Sequence, residues 1–375
     1  MAGACYECHT MHNSQGGDPQ AQAGAGAKWS GGSLTGGSDN TAQEYLLVSD
    51  CVGCHTSADA NTIVTVGSND IPIVYNMTEP TGGSTATTPL AGGNFYWVVT
   101  KGDAWGHNVL NISGDDGALG ISGPPGKPAS GCNPCHTKLT LATGTTTGWG
   151  IEFGGCQGCH LPQHHAVGDA STVVGKDEGW YRFLGSVMQE AVLDDPSQVT
   201  RGAVGIEDAD WEQTVASNDH NVYQGTSNIY DSASPSTSSF SHSAIAELCM
   251  GCHQRFHHDG LATNEMNTDD RLNIDSSALT GIWLRHPSDV KIPNSGEYAS
   301  YTTYNPVAPV ARQNVAAGDA NFTAITLNSD VVNCISCHRP HGSPYMDLLR
   351  WSYSTCDSGT ADADCGCFIC HTRKD

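Results

Sequence analysis

Apolar positions in this chain come in short bursts separated by long polar stretches. The longest unbroken apolar runs, Phe95–Val99 and Tyr45–Val48, are five and four residues. Runs of that length are too short to span a bilayer. Between the bursts the chain is rich in Gly, Ser, Thr and Asn, as in Gly24–Asn40, Thr78–Gly93, Ser113–Gly131 and Ser232–Ser243. These stretches predict loops. Short helices are predicted over Ala244–His253 and Met346–Tyr353, and a strand over Phe95–Thr100. The expected fold is mostly irregular coil with short helices and few strands. No composition break divides the chain, so residues 1–375 read as a single unit.

Composition explains why the pattern is so sparse. Hydrophobic residues make up 38% and charged residues 15% of the chain, and 44 residues are Gly. A large aliphatic core is not expected, so something other than side chains must fill the interior. The net charge of −23 argues against nucleic acid and anionic membrane surfaces, which need clustered basic residues. No apolar secretory segment opens the chain, so an exported protein would already have lost its signal.

The cysteines supply the missing filler. Of 16 Cys, fourteen fall in seven copies of Cys-x-x-Cys-His. The first four begin at Cys5 and Cys8 with His9, Cys51 and Cys54 with His55, Cys132 and Cys135 with His136, and Cys156 and Cys159 with His160. The others are Cys249 and Cys252 with His253, Cys334 and Cys337 with His338, and Cys367 and Cys370 with His371. Zinc sites, disulfides and thioredoxin-like pairs all use Cys-x-x-Cys, but none requires His at the next position. His is 17 of 375 residues, so seven successes in seven are not chance. The pattern is the attachment site of haem c: two thiols form thioethers and the His binds iron from one side. Seven covalent haems c are therefore expected. The attachment places the chain outside the cytoplasm.

Two thiols remain, Cys356 and Cys365, in an acidic loop before the last motif. A disulfide between them is expected in an oxidising compartment. The alternatives are two unpaired thiols, or Cys365 replacing Cys367 as the thioether partner.

Ten His lie outside the motifs: His12, His107, His164, His165, His220, His242, His257, His258, His286 and His341. Ten His for seven irons makes imidazole on both faces the simple reading. Iron capped on both faces has no room for a reactant, which favours electron transfer over catalysis. His12 and His341 follow their motif His by three residues, and His164 and His257 by four. A His that close cannot reach the far side of the same ring, but it can reach the iron of a neighbouring haem. The spacing therefore encodes a close-packed haem chain.

Several short segments, in order, carry a resemblance. They include Cys8-His-Thr-Met-His12, Gly106-His107-Asn108, Gly179-Trp-Tyr-Arg-Phe-Leu184, Asp219-His220-Asn221, Leu284-Arg-His286-Pro287, and the run from Val332 through His341 to Phe368-Ile-Cys-His-Thr-Arg. Together they resemble the OmcS-type extracellular cytochrome filaments of metal-reducing bacteria. The resemblance implies stacked bis-His haems, scant secondary structure and head-to-tail polymerisation into a conductive filament. It also implies that His12 ligates a haem of the adjacent subunit, the one held by Cys334, Cys337 and His338. It favours His107, His257, His286 and His341 as further ligands, with one or both of His164 and His165. The chain departs from the six-haem pattern by one motif, that of Cys132. The added ligand would come from His220, His165 or His242, and His220 is the expected donor.

The resemblance makes extracellular electron acceptors and identical subunits the expected partners. Two other functions compete: a monomeric periplasmic shuttle and a multihaem oxyanion reductase. The reductase would need an open iron, often marked by a motif ending in Lys, and all seven here end in His. Seven haems also add fourteen propionates to an acidic chain, so assembly is expected to weaken at low ionic strength.

Overall fold

The local chemistry of the motifs makes most of the helices. Asp50 caps the first, accepting from Gly53 N at 2.7 Å, and the helix (α1) spans Cys51–Cys54. Asn333 caps Cys334–Cys337 by accepting from Ser336 N at 3.1 Å, while Ser336 Oγ accepts from Asn333 N at 3.0 Å. That reciprocal pair satisfies two backbone donors that a helix start leaves open. In chain order the described helices are α1, α2 (Tyr96–Lys101), α3 (Ile245–Met250), α4 (Cys334–Cys337) and α5 (Gly366–Cys370). The fourth motif forms a 3₁₀ turn, Cys156–Gly158.

The computed structural model describes residues 9–12, 14–15, 18–19, 26–37, 46–80, 89–117, 138–142, 146–147, 150–151, 154–162, 172–185, 202–227, 243–250, 252–253, 286, 288–359 and 364–373. Among them, small sheets and coil join the helices, as the sparse apolar pattern implies. Lys28–Ser30 pairs antiparallel with Ser33–Thr35 and parallel with Thr56–Ser57, which pairs parallel with Tyr75–Asn76. Ile63–Val66 and Asn69–Pro72 form a hairpin. Val173–Val174, Gly205–Ile206 and Val222–Tyr223 form a three-stranded antiparallel sheet. No helix among the described residues is long and apolar enough to cross a membrane.

Three local expectations differ from what forms. Within Phe95–Thr100 no strand forms: Phe95 is the N-cap of α2 and Tyr96–Thr100 is helical. Asn94 Oδ1 accepts from Tyr96 N at 3.0 Å and starts the turn, while Phe95 and Val98 bury one helical face with Val109. Burial of that face outweighs the strand preference of aromatic and branched residues. Met346–Tyr353 is not one helix: 3₁₀ turns lie at Met346–Leu348 and Tyr353–Thr355. Asp347 and Leu348 both have φ of 58°, which breaks the helix and turns the chain back so that Leu349 bridges His338. Gly24–Asn40 contains the hairpin of Lys28–Ser30, because Gly31 and Gly32 supply the positive φ of a tight turn.

The apolar core is divided into small clusters. One holds Ile206, Val222, Ile292, Tyr301, Tyr304, Val310, Phe322 and Ile325. A second joins Tyr181, Ala203, Tyr223, Ile245, Ala311, Val331 and Ile335, and so packs α3 beside α4. A third holds Ala308, Trp351 and Cys365 against Cys337, Cys356, Cys367 and Phe368. Motif residues thus form part of the packing itself.

Candidate functional site

A Cys-x-x-Cys pair on one helical turn puts both sulfurs on the same face. The following His leaves the helix. In the second motif His55 N still donates to Cys51 O at 2.9 Å, and its ring Nδ1 donates to Pro72 O at 2.7 Å. The same device recurs. His160 Nδ1 donates to Arg182 O at 2.9 Å, His338 Nδ1 to Asp347 O at 2.7 Å, and His107 Nδ1 to Pro340 O at 2.5 Å. His371 Nδ1 meets Glu297 Oε1 at 2.9 Å. A carbonyl only accepts, so Nδ1 carries the proton and Nε2 keeps its lone pair for a metal. Burial lowers the pKa of His55, His107 and His160, which favours the neutral, ligating form.

His341 is held differently. Its backbone N donates to Gly92 O at 2.7 Å, and its ring stacks on Phe95 with centres 4.8 Å apart. Close approach of two backbone segments sets this position: Gly93 and Gly342 bridge, and a Cβ on Gly93 would lie 2.0 Å from Gly342 O. His341 Nδ1 is buried without a hydrogen-bond partner. Burial, with His160 and His107 nearby, pushes its pKa down to about 3.

Among the described residues, three imidazole pairs lie at nearly one distance, with their ring planes tilted or edge-on. His160 and His341 have ring centres 6.1 Å apart, His107 and His253 6.1 Å, and His286 and His371 6.2 Å. Each pair joins a motif His to a His outside its own motif. His341, three residues after His338, faces the fourth motif rather than its own.

The motifs also adjoin. Contact with the Cys51 thiol and burial push the Cys156 thiol well above its ordinary range, so the second and fourth motifs touch. Burial raises the Cys337 thiol to about 12, with Cys367 beside it, and the Cys370 thiol to about 12, with Cys337 beside it. The sixth and seventh motifs therefore adjoin as well. His9 bridges Leu47, just ahead of the second motif. Two guanidiniums are buried around the sixth motif. Arg339 Nη1 donates to Leu90 O at 2.8 Å, and Arg350 Nη2 lies 3.7 Å from Glu212 Oε2. Arg350 Nε is buried without a partner.

These features fit haem c. The thiols are paired on one face, the imidazoles keep Nε2 free, and a buried guanidinium has a spare N–H for a carboxylate. Cys5, Cys8, Cys132, Cys135, His136, His164, His165, His242, His257 and His258 lie outside the described residues. His12 and His286 are exposed.

The expected added donor, His220, lies in the apolar core. His220 is 2% exposed and stacks on Tyr304 with ring centres 3.6 Å apart. Its Nδ1 lies 2.7 Å from Asn221 O and its Nε2 2.9 Å from Phe322 O. Both nitrogens face backbone oxygens, so neither is offered to a metal. His220 is a core residue. The expected Cys356–Cys365 disulfide forms. Glu297 escaped the sequence reading, because nothing in its local sequence marks a carboxylate that will meet a His 74 residues away.

A doubled CXXCH motif model matches residues 328–375. The C-type cytochrome OmcS of Geobacter sulfurreducens is 22% identical over 391 residues, covering 96% of this chain and 81% of that protein. Two solved structures are similar, each at 18% identity and covering 96% of this chain and 86% of theirs. They are the outer membrane cytochrome S filament, with a TM-score of 0.49, and the OmcS nanowires, with 0.41, both from Geobacter sulfurreducens. The chain thus carries the repeated attachment motif of c-type cytochromes and is similar to the C-type cytochrome OmcS along nearly its whole length.

Proposed function

We propose that this cytochrome carries electrons through seven haems c, each iron held between two imidazoles, in an extracellular head-to-tail filament. Bound haem c supplies one-electron chemistry at iron. The chain's own work is to hold, orient and enclose.

The observation that carries the reading is the matched spacing of the three imidazole pairs, 6.1, 6.1 and 6.2 Å. An imidazole nitrogen bonds a first-row metal at about 2 Å and its ring centre lies about 1 Å behind, so imidazoles on opposite sides of one ion have centres about 6 Å apart. The spacing supports His160 with His341, His253 with His107, and His371 with His286 as axial pairs. The Nδ1 donors fix ring orientation and tautomer, the usual role of outer partners around a metal. The adjoining cysteines of the second and fourth motifs, and of the sixth and seventh, support near contact between the groups they carry. Iron capped on both sides gives onward transfer rather than turnover, so this is an electron-transfer protein and not an enzyme.

The polymer reading rests on His12. It is exposed, as is His338 of the motif that it would complete in a neighbour. A contact between unlike patches of identical subunits propagates as an open filament. By the same reading, His164, His165 and His257 supply further ligands. The exported chain delivers electrons to acceptors outside the cell.

The ferric protein is expected to be wholly low-spin and to bind no added ligand. His341→Ala is expected to convert one haem, that of the fourth motif, to a ligand-accepting high-spin form. A high-spin fraction in the unaltered protein, or an unchanged spectrum in His341→Ala, contradicts the axial assignments.

A further inference from the structure

The seventh motif overlaps a second possible one. Its sequence, Cys365-Gly-Cys367-Phe-Ile-Cys370-His371, can be read as Cys-x-x-Cys-His from Cys367 or as Cys-x-x-x-x-Cys-His from Cys365. The sulfurs of Cys356, Cys365 and Cys367 all lie within 4.8 Å of one another. Cys365 caps α5, is fully buried at 0% exposure, and packs with Trp351, Cys367 and Phe368. A free Cys365 thiol would therefore sit beside Cys367, on the same helix start. In the structure it is bonded to Cys356 instead.

We propose that the Cys356–Cys365 disulfide forms before haem attachment and selects Cys367 as the thioether partner at the seventh motif. The inference rests on haem c binding at that motif.

The chemistry balances. The two thiols give up two electrons and two protons to a protein disulfide of the exporting compartment, which becomes a dithiol, and one S–S bond forms in the chain. Cys367 keeps its S–H. That thiol then adds across a vinyl C=C, forming one S–C bond and one C–H bond with no net oxidation. Without the disulfide, Cys365 competes in two ways. It adds to the vinyl group itself, or it is oxidised with Cys367 to a Cys365–Cys367 disulfide, which consumes the thiol that the haem needs.

The test maps the seventh haem peptide by mass spectrometry in the full exported protein. The unaltered chain is expected to give one product, thioethers at Cys367 and Cys370, with Cys356 bonded to Cys365. Cys356→Ala frees the competitor, and loss of the single product is expected: thioether at Cys365, or haem-free peptide with Cys365 bonded to Cys367. Cys356→Ala with Cys365→Ala removes both the disulfide and the competitor, and the single product is expected to return. If the two variants give the same peptide pattern, whether loaded or not, the bond is only a structural staple and the proposal is overturned. A second measurement needs no variant. Unaltered chains accumulated under haem limitation are expected to carry the Cys356–Cys365 bond already; chains with haem on Cys367 and a free Cys365 would overturn the order proposed. A seventh peptide with no haem in the mature unaltered protein would instead defeat the haem assignment of that motif.

Discussion

At the residue scale, the useful distinction is between a His that offers a nitrogen and one that does not. His55, His107, His160 and His338 spend Nδ1 on a backbone oxygen and keep Nε2. His220 has both nitrogens on backbone oxygens and a tyrosine against its face. His220→Ala is therefore expected to leave every haem low-spin while costing about 2 kcal/mol of stability through lost packing and unpaired buried oxygens. Denaturant unfolding with a ferric spectrum of the same sample measures both. A new high-spin haem in His220→Ala would restore it as a ligand. Sequence could not separate these cases. Ligand and core histidines look alike in one dimension, and what differs is which carbonyl the fold brings to the ring. The motifs, by contrast, stand out in sequence, because covalent attachment of haem c requires both residue type and spacing.

At the element scale, the helices serve attachment more than they serve the core. α1 and α4 are four residues each, too short to persist alone, and each begins at a side-chain cap. Asp50→Ala removes the acceptor for Gly53 N and is expected to cost about 1 kcal/mol. Its unfolding midpoint should fall while the second haem stays attached; an unchanged midpoint would mean that packing alone holds α1. Short helices beginning at the motifs could be read from sequence, whereas the strands, most of them two to four residues long, could not. The misreadings have local causes. Phe95–Thr100 follows burial of Phe95 and Val98 rather than its residue preferences. Met346–Tyr353 breaks at Asp347 and Leu348, whose left-handed backbone nothing in their side chains foretells. That break brings Asp347 O to His338, so the misread turn positions a motif histidine.

At the scale of the whole molecule, the chain joins distant motifs through histidines placed between them. His341 belongs in sequence to the sixth motif and in space to the fourth, with His107 close by. His107 in turn pairs with the fifth motif and leans on Pro340 beside the sixth. Sequence spacing revealed that such a His must serve another haem, but not which one, because that depends on long-range contacts such as the Gly93–Gly342 approach. The same logic carried past the end of the chain assigns His12 to a neighbour. His12→Ala is expected to yield discrete particles in place of threads in electron micrographs, with one altered haem per subunit. Normal threads from that variant would remove the intersubunit ligand.

The most direct test is a density map of the purified, haem-loaded protein at a resolution that shows axial ligands. One iron is expected between His160 and His341, one between His107 and His253, and one between His286 and His371, with every remaining iron capped on both sides. An iron with a vacant face, or any of these three pairs bound to different irons, would contradict it.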